Sequence, residues 1–171
     1  MKLRFIRTMW RYLLSLAEKY TPMKFSDDSV EDTLNYLLIN DRIGSSGQPT
    51  ENQFYAIRDA GYKTVINLLP QGTENSLKGE RTLVTALGMR YIYIPVAPFN
   101  PTRDDFDKFV AAMQSASGGK VWIHCAVNAR ASVFIYKYRC AVIGEDEQSA
   151  LWDLRQIWEP FGVWKKFISL R

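Results

Sequence analysis

A thiol, an imidazole and a guanidinium fall within seven residues, His124-Cys125-Ala126-Val127-Asn128-Ala129-Arg130. The β-branched and aromatic run Val121-Trp122-Ile123 precedes them, and the amphipathic run Val133-Phe134-Ile135-Tyr136-Lys137-Tyr138 follows. This pattern predicts a strand, a tight loop and a helix, with the thiol at the strand's end and Arg130 at the helix's start. Backbone N–H groups at a helix start point into such a loop, and the helix dipole favours negative charge there. The same field favours the thiolate of Cys125, which is the nucleophilic form. The chemistry on offer is attack by sulfur on a bound anion. An arginine at a helix N-terminus opposes the dipole, so a bound anion accounts for Arg130 better than a surface role does. His124, the sole histidine, either orients the loop or is a satisfied core residue. No His/Cys/Asp cluster has metal-ligand spacing and no Gly-rich nucleotide loop occurs, so neither metal nor cofactor is expected.

The surrounding chain must hold this stretch. Its 171 residues, 47% hydrophobic and 23% charged, fit one globular domain with a sizeable core. A net charge of +4 suits a phosphorylated substrate or another small anion, and is too weak to argue for nucleic acid. The two cysteines, Cys125 and Cys140, are too far apart to bridge along a helix rising about 1.5 Å per residue. Both read as reduced thiols in a reducing, cytoplasmic setting, with Cys140 a small buried hydrophobe. No apolar run approaches the roughly 20 residues that span a bilayer. Residues 1–24 read as an amphipathic helix on Ile6, Met9, Trp10, Leu13, Leu14, Ala17 and Tyr20, with Lys2, Arg4, Arg7 and Arg11 beside that stripe. It either docks on its own domain, residues 25–171, or makes a peripheral membrane contact.

Along that domain a short helix is expected from Val30 to about Asn35, then a strand at Tyr36–Asn40 and a hairpin through Asp41–Gly47. Thr50-Glu51-Asn52-Gln53 is a capping box opening a helix that Gly61 closes. Lys63–Leu69 reads as a buried strand and Arg90–Ile94 as another strand, with a helix from Ser76 to Gly88 between them. Thr102-x-x-Asp105 caps a helix facing inward through Phe106, Phe109, Val110 and Met113. Glu145–Trp158 and Val163–Leu170 are further helices, and Trp152, Trp158, Phe161, Trp164 and Phe167 read as packing residues. Alternating strands and helices imply an α/β domain with a mainly parallel central sheet flanked by helices. Ligands in such sheets bind off the carboxyl ends of the strands. The loops Leu69–Asn75 and Pro95–Asp105 therefore converge on the Cys125 loop.

The segment His124-Cys125-x-x-x-x-Arg130-Ala131-Ser132 resembles the phosphate-binding loop of the cysteine-dependent phosphatases, the protein-tyrosine and dual-specificity group, and is closest to a bacterial subfamily of small phosphatase-like domains. Ser46–Thr50, Ala60–Leu68, Gly88–Val96 and Pro101-Thr102 leading to Asp105 and Phe109 are also similar to that subfamily, so the likeness spans about Asp41 to Arg139. The resemblance implies a cysteine-phosphatase fold and hydrolysis of phosphomonoesters, phosphotyrosine among them, through a phosphocysteine. It implies Cys125 as nucleophile, Arg130 as the clamp on the phosphoryl oxygens and His124 as the residue that orients the loop. It also implies Ser132 as the hydroxyl that helps the thiolate leave. Ala126, Val127, Asn128, Ala129 and Ala131 would line the bound anion, with Asn128 offering a side-chain donor.

Two features depart from the family's pattern. Four residues rather than five separate Cys125 from Arg130, so either the loop is one residue short or Ala131 holds the usual arginine place. The stretch Pro95–Pro101 carries no Asp or Glu to protonate the leaving oxygen; Asp105 is the first candidate, and Asp104, Glu74 and Glu80 are the others. The six-residue span from Cys125 to Arg130 also fits a rhodanese-type sulfurtransferase, and the missing acid fits a phosphate-binding module with weak turnover.

Overall fold

The computed structural model describes Leu13 and residues 29–169. The expected amphipathic helix over residues 1–24 lies outside the described residues, apart from an exposed Leu13. Five strands form one sheet: β1 (Leu37–Asn40), β2 (Ile43–Ser46), β3 (Tyr62–Asn67), β4 (Arg90–Tyr93) and β5 (Lys120–His124), in the order β1-β2-β5-β3-β4. β1 and β2 make an antiparallel hairpin, and every other pairing is parallel. Among the described residues from 29 to 169, the α-helices are α1 (Glu51–Asp59), α2 (Glu80–Ala86), α3 (Arg103–Ser115), α4 (Ala129–Tyr138), α5 (Glu147–Ile157) and α6 (Val163–Ser169). A single π turn, Arg139–Ile143, extends α4.

β5 is central and buried on both faces, so its side chains divide between two cores. Val121 and Ile123 join Phe106, Phe109, Phe134, Trp164 and Phe167 under α3 to α6. Trp122 joins Phe54, Ile57, Tyr62 and Val65 under α1 and α2. Full burial of side chains such as Phe54 and Ile57 stabilises the fold by about 1.5–3 kcal/mol each.

Both capping boxes form. Thr50 accepts from the Gln53 N–H at 3.2 Å while Gln53 accepts from the Thr50 N–H at 3.0 Å. Thr102 and Asp105 do the same at the start of α3. Two elements differ from the sequence expectation. Val30–Asn35 is a pair of successive turns, closed by Thr33 N–H to Val30 O and Tyr36 N–H to Thr33 O, and Asn35 sits at φ 50°, which ends any helix there. The helix expected from Ser76 starts at Glu80, because Gly79 before it is left-handed at φ 75°. Among the described residues, no helix is long and apolar enough to cross a membrane.

The parallel register puts the carboxyl ends of β2, β5, β3 and β4 on one edge. Ser46 stands opposite His124, His124 opposite Asn67, and Asn67 opposite Tyr93. The Cys125 loop leaves the sheet from the middle of that row.

Candidate active site

The loop from Cys125 to Arg130 is held by its carbonyls. The Ala126 oxygen accepts the Gln48 N–H at 3.1 Å, and the Val127 oxygen accepts Asn35 Nδ2 at 3.1 Å. The Asn128 oxygen takes the Ser132 N–H at 3.0 Å. The Ala129 oxygen takes Trp158 Nε1 at 3.1 Å and Ser132 Oγ at 3.0 Å. A trans peptide places its C=O and the following N–H on opposite sides of one plane. Turning four successive oxygens outward therefore turns the N–H groups of Val127, Asn128, Ala129 and Arg130 inward. Among the described residues, Val127 is paired with Gly47 in an isolated antiparallel bridge, and the N–H groups of Ala129, Arg130 and Ala131 donate to no protein acceptor. These donors and the N-terminus of α4 make a ready anion cradle. Cys125 is fully buried beside it, its own N–H donated to Ser46 O at 3.3 Å.

Gly47 makes this support possible. A Cβ there would lie 2.8 Å from the Ala126 oxygen, so only glycine lets the Ser46–Gln48 strand end run against the loop. Asn128 is the loop's left-handed residue, at φ 68°, a conformation that asparagine tolerates better than most. Its amide donates to Asn35 O at 2.7 Å and to Ser45 Oγ at 3.1 Å. The side-chain donor expected from Asn128 is thus spent on anchoring the loop, and Asn128 faces the cradle with backbone only.

The Arg130 side chain reaches the two neighbouring loops. Its Nη1 donates to Leu68 O at 3.2 Å and Val96 O at 3.0 Å, bridging the chain segments that follow β3 and β4. Nε and Nη2 remain as a planar pair of donors without a protein partner among the described residues, the arrangement that suits two oxygens of one anion. Ala131 is buried within α4 and offers its backbone N–H alone. Ser132 is buried, with its hydroxyl donated to Ala129 O.

His124 and Glu80 form a buried pair, Nε2 to Oε1 at 3.0 Å, with side chains 0% and 4% exposed. Burial alone would raise the Glu80 carboxyl. The His124 ring, the Gln48 amide and the Tyr91 hydroxyl more than offset that and hold it below the usual carboxylate range. Its oxygens also accept Asn67 Nδ2 at 2.8 Å and Gln48 Nε2 at 2.6 Å. An ionised carboxylate only accepts, so Glu80 fixes Nε2 as the ring nitrogen that carries hydrogen. His124 Nδ1 has no partner among the described residues. Glu80, considered above as an acid, is the partner of the histidine before Cys125. The sequence held one signal for this: Glu80 lies one turn before the apolar Val84 on the buried stripe of α2, where a carboxylate needs a partner.

The other carboxylates are placed elsewhere. Asp105 Oδ2 accepts the Thr102 N–H at 2.9 Å and the Thr102 hydroxyl at 2.7 Å, so the first candidate acid serves as a helix cap. Asp104 pairs with Lys108 at 2.6 Å on the exposed face of α3. Glu74 lies on the exposed loop Gln71–Gly79, which lines an open pocket of about 460 Å³. Among the described residues, no group of three or more His, Cys, Asp or Glu could hold a metal.

Residues 36–140 match the family described as beta-lactamase hydrolase-like protein, phosphatase-like domain. The beta-lactamase hydrolase-like protein of Xylella fastidiosa is 33% identical over 96 residues, which are 54% of this chain and 22% of that protein. The counterpart in Agrobacterium fabrum is 33% identical over 118 residues, 67% of this chain and 27% of that protein. The chain therefore spans about a quarter of the length of the curated relatives it matches. Among solved structures, a putative phosphatase of Shewanella putrefaciens superposes with a TM-score of 0.74 at 31% identity, over 82% of this chain and 92% of that one. P. aeruginosa TpbA, solved in complex with phosphotyrosine, shares the fold at a TM-score of 0.59 and 20% identity, over 77% of this chain and 76% of its own.

Proposed function

The chain belongs to the family of phosphatase-like domains of beta-lactamase hydrolase-like proteins, and from that premise we propose that it hydrolyses phosphomonoesters through a phosphocysteine on Cys125. The observation that supports this most is the loop whose carbonyls are all tied outward around a buried cysteine. In the first step the Cys125 thiolate attacks phosphorus, the S–P bond forms and the P–O bond to the leaving group breaks. The leaving oxygen takes up one proton. In the second step water attacks the phosphocysteine, the S–P bond breaks, inorganic phosphate departs and the thiolate is restored. Both transition states gather negative charge on the equatorial oxygens, which the loop N–H groups and the Arg130 fork are preplaced to receive.

The substrate class follows from the proton. With Asp105 capping α3 and Glu80 paired to His124, leaving groups that need little protonation are favoured, and aryl phosphates such as phosphotyrosine are of that kind. Cys125→Ser is expected to abolish hydrolysis of p-nitrophenyl phosphate while phosphate still binds, and mass spectrometry of acid-quenched wild type to show phosphate on the peptide carrying Cys125. Turnover that survives Cys125→Ser overturns the proposal. Thiocyanate formed from thiosulfate and cyanide in a Cys125-dependent way would favour sulfur transfer instead.

A further inference from the structure

We infer that Trp158, outside the segment that matches the family, is a positioning residue that aims the Arg130 backbone N–H into the anion cradle. The inference rests on the cradle reading above. Three of the four outward-tied carbonyls are held from residues 35 to 132, by Gln48, Asn35 and Ser132. The fourth, Ala129 O, receives the indole N–H of Trp158 at 3.1 Å, and the family match ends at residue 140. The Ala129 oxygen and the Arg130 N–H share one peptide plane and point oppositely, and that plane is the first of α4, so the indole adds to the helix's own geometry in fixing the donor. Ser132 Oγ shares that oxygen at 3.0 Å, but a hydroxyl rotates freely, whereas an indole packed in a core does not.

Trp158 is rigidly placed. It is 8% exposed, packed edge-on against Trp164 at 6.3 Å and Phe161 at 5.9 Å between centroids. α5 ends one residue before it, and its backbone is extended at φ −164°, as the nearby Pro160 favours by barring further helix. Trp164 gives its own N–H to Pro98 O at 2.9 Å, in the same loop whose Val96 oxygen holds the Arg130 side chain at 3.0 Å. The C-terminal aromatic pair thus reaches Arg130 twice, through its peptide plane and through the loop that braces its guanidinium. Simple packing explains the ring contacts; it does not explain why both indole N–H groups end on carbonyls of the two loops that flank Cys125.

The test uses the ¹⁵N-labelled full chain titrated with inorganic phosphate. In wild type the amides from Ala126 to Ala131 are expected to move downfield. Trp158→Phe keeps a ring against Trp164 and removes only the N–H. It should cut the Arg130 amide response while those of Ala126 and Val127 persist, and weaken phosphate binding about tenfold, as for one misaimed donor. Trp164→Phe, which leaves the Ala129 bond in place, should keep the Arg130 response. If Trp158→Phe does not fold, Ser132→Ala is read at the same resonance: with the indole bond left in place the Arg130 shift should persist, and its loss would assign the oxygen to the hydroxyl and overturn the inference. An Arg130 amide that responds equally in wild type and Trp158→Phe overturns the inference and leaves the cradle standing. Loop amides that ignore phosphate in wild type overturn the cradle and the inference together.

Discussion

The loop after β5 and the loop after β4 lie side by side at the same edge of the sheet and are built for different work. From Ala126 to Ala129 every carbonyl of the first is tied outward, so its N–H groups are committed to whatever enters. The second, Pro95 to Pro101, carries three prolines and no carboxylate. Its contribution is oxygen: Val96 O holds Arg130 and Pro98 O holds Trp164. On the proposed reading, one loop would bind the anion and the other would brace the residue that grips it. The difference teaches that inward-facing donors are supplied by the backbone here, while the neighbouring loop offers no carboxylate to match them.

Breaking the brace should have the largest effect after loss of the nucleophile itself. Arg130→Lys keeps the charge but loses the planar fork, so one ammonium cannot serve Leu68 O, Val96 O and two phosphoryl oxygens together. A fall in kcat of about 10²- to 10³-fold is expected, as for removal of a preplaced oxyanion donor. Steady-state kinetics on p-nitrophenyl phosphate check it. A fall in kcat of less than about threefold would mean that the loop N–H groups carry the charge without the guanidinium.

The buried pair beneath the first loop comes next. Glu80→Gln preserves shape, and the Gln48 amide can turn to present its unpartnered Oε1 to the new N–H₂ group. What is lost is the negative charge against His124, and kcat/KM at neutral pH should drop about tenfold. If Glu80 acts through His124, the double variant with His124→Asn should be no slower than His124→Asn alone. Stability gives an independent reading. The Glu80 carboxyl is held low in the folded state, so its contribution is complete above the ordinary carboxylate range and is lost as pH falls through the depressed value. The Tm gap between wild type and Glu80→Gln should therefore narrow from about pH 5 towards pH 3. A constant gap would show that the charge contributes nothing to the fold.

Much of this contrast was legible in the sequence where the determining contacts are local. Strand, loop and helix around Cys125 follow from hydrophobic period and small residues, and the boxes at Thr50 and Thr102 are contacts three residues long. What was hidden depends on pairs distant along the chain. His124 meets Glu80 across 44 positions, Asn35 meets Val127 across 92, and Trp158 meets Ala129 across 29. The same long-range pull explains the missed turn at Val30–Asn35, where helix caps in the sequence lost to an Asn35 whose amide and carbonyl both bind the cysteine loop. Of the C-terminal aromatics read as packing residues, Trp158, Trp164 and Phe167 are buried, whereas Trp152 and Phe161 are 62% and 67% exposed, and spacing carries no sign of where an indole N–H will end.

A smaller perturbation separates loop shape from loop chemistry. Asn128→Ala removes both amide bonds to Asn35 O and Ser45 Oγ and leaves at φ 68° a residue that tolerates the left-handed region less well than asparagine. It should cost about 1–3 kcal/mol in urea unfolding. Asn128→Gly loses the same bonds without the strain and should recover part of that cost. Equal losses in the two variants would assign the whole effect to the hydrogen bonds.

The smallest effect is expected at Asp105, and it bears most directly on the difference between the two loops. Its Oδ2 is occupied by the Thr102 N–H and hydroxyl. Asp105→Asn keeps an acceptor for the cap and should leave kcat within about twofold, while Asp105→Ala should cost roughly 0.5–2 kcal/mol of stability as an ordinary capping loss. The sharper reading is the dependence of kcat on leaving-group acidity across a series of aryl phosphates. An acid that protonates the leaving oxygen flattens that dependence, and its removal steepens it. Wild type and Asp105→Asn should share one slope. A steeper slope in the variant would make Asp105 the proton donor after all and would mean that its cap opens when substrate binds. With a shared slope, Glu74 on the exposed Gln71–Gly79 loop is the carboxylate to remove next, and a Glu74→Gln variant with the same slope again leaves the proton to water.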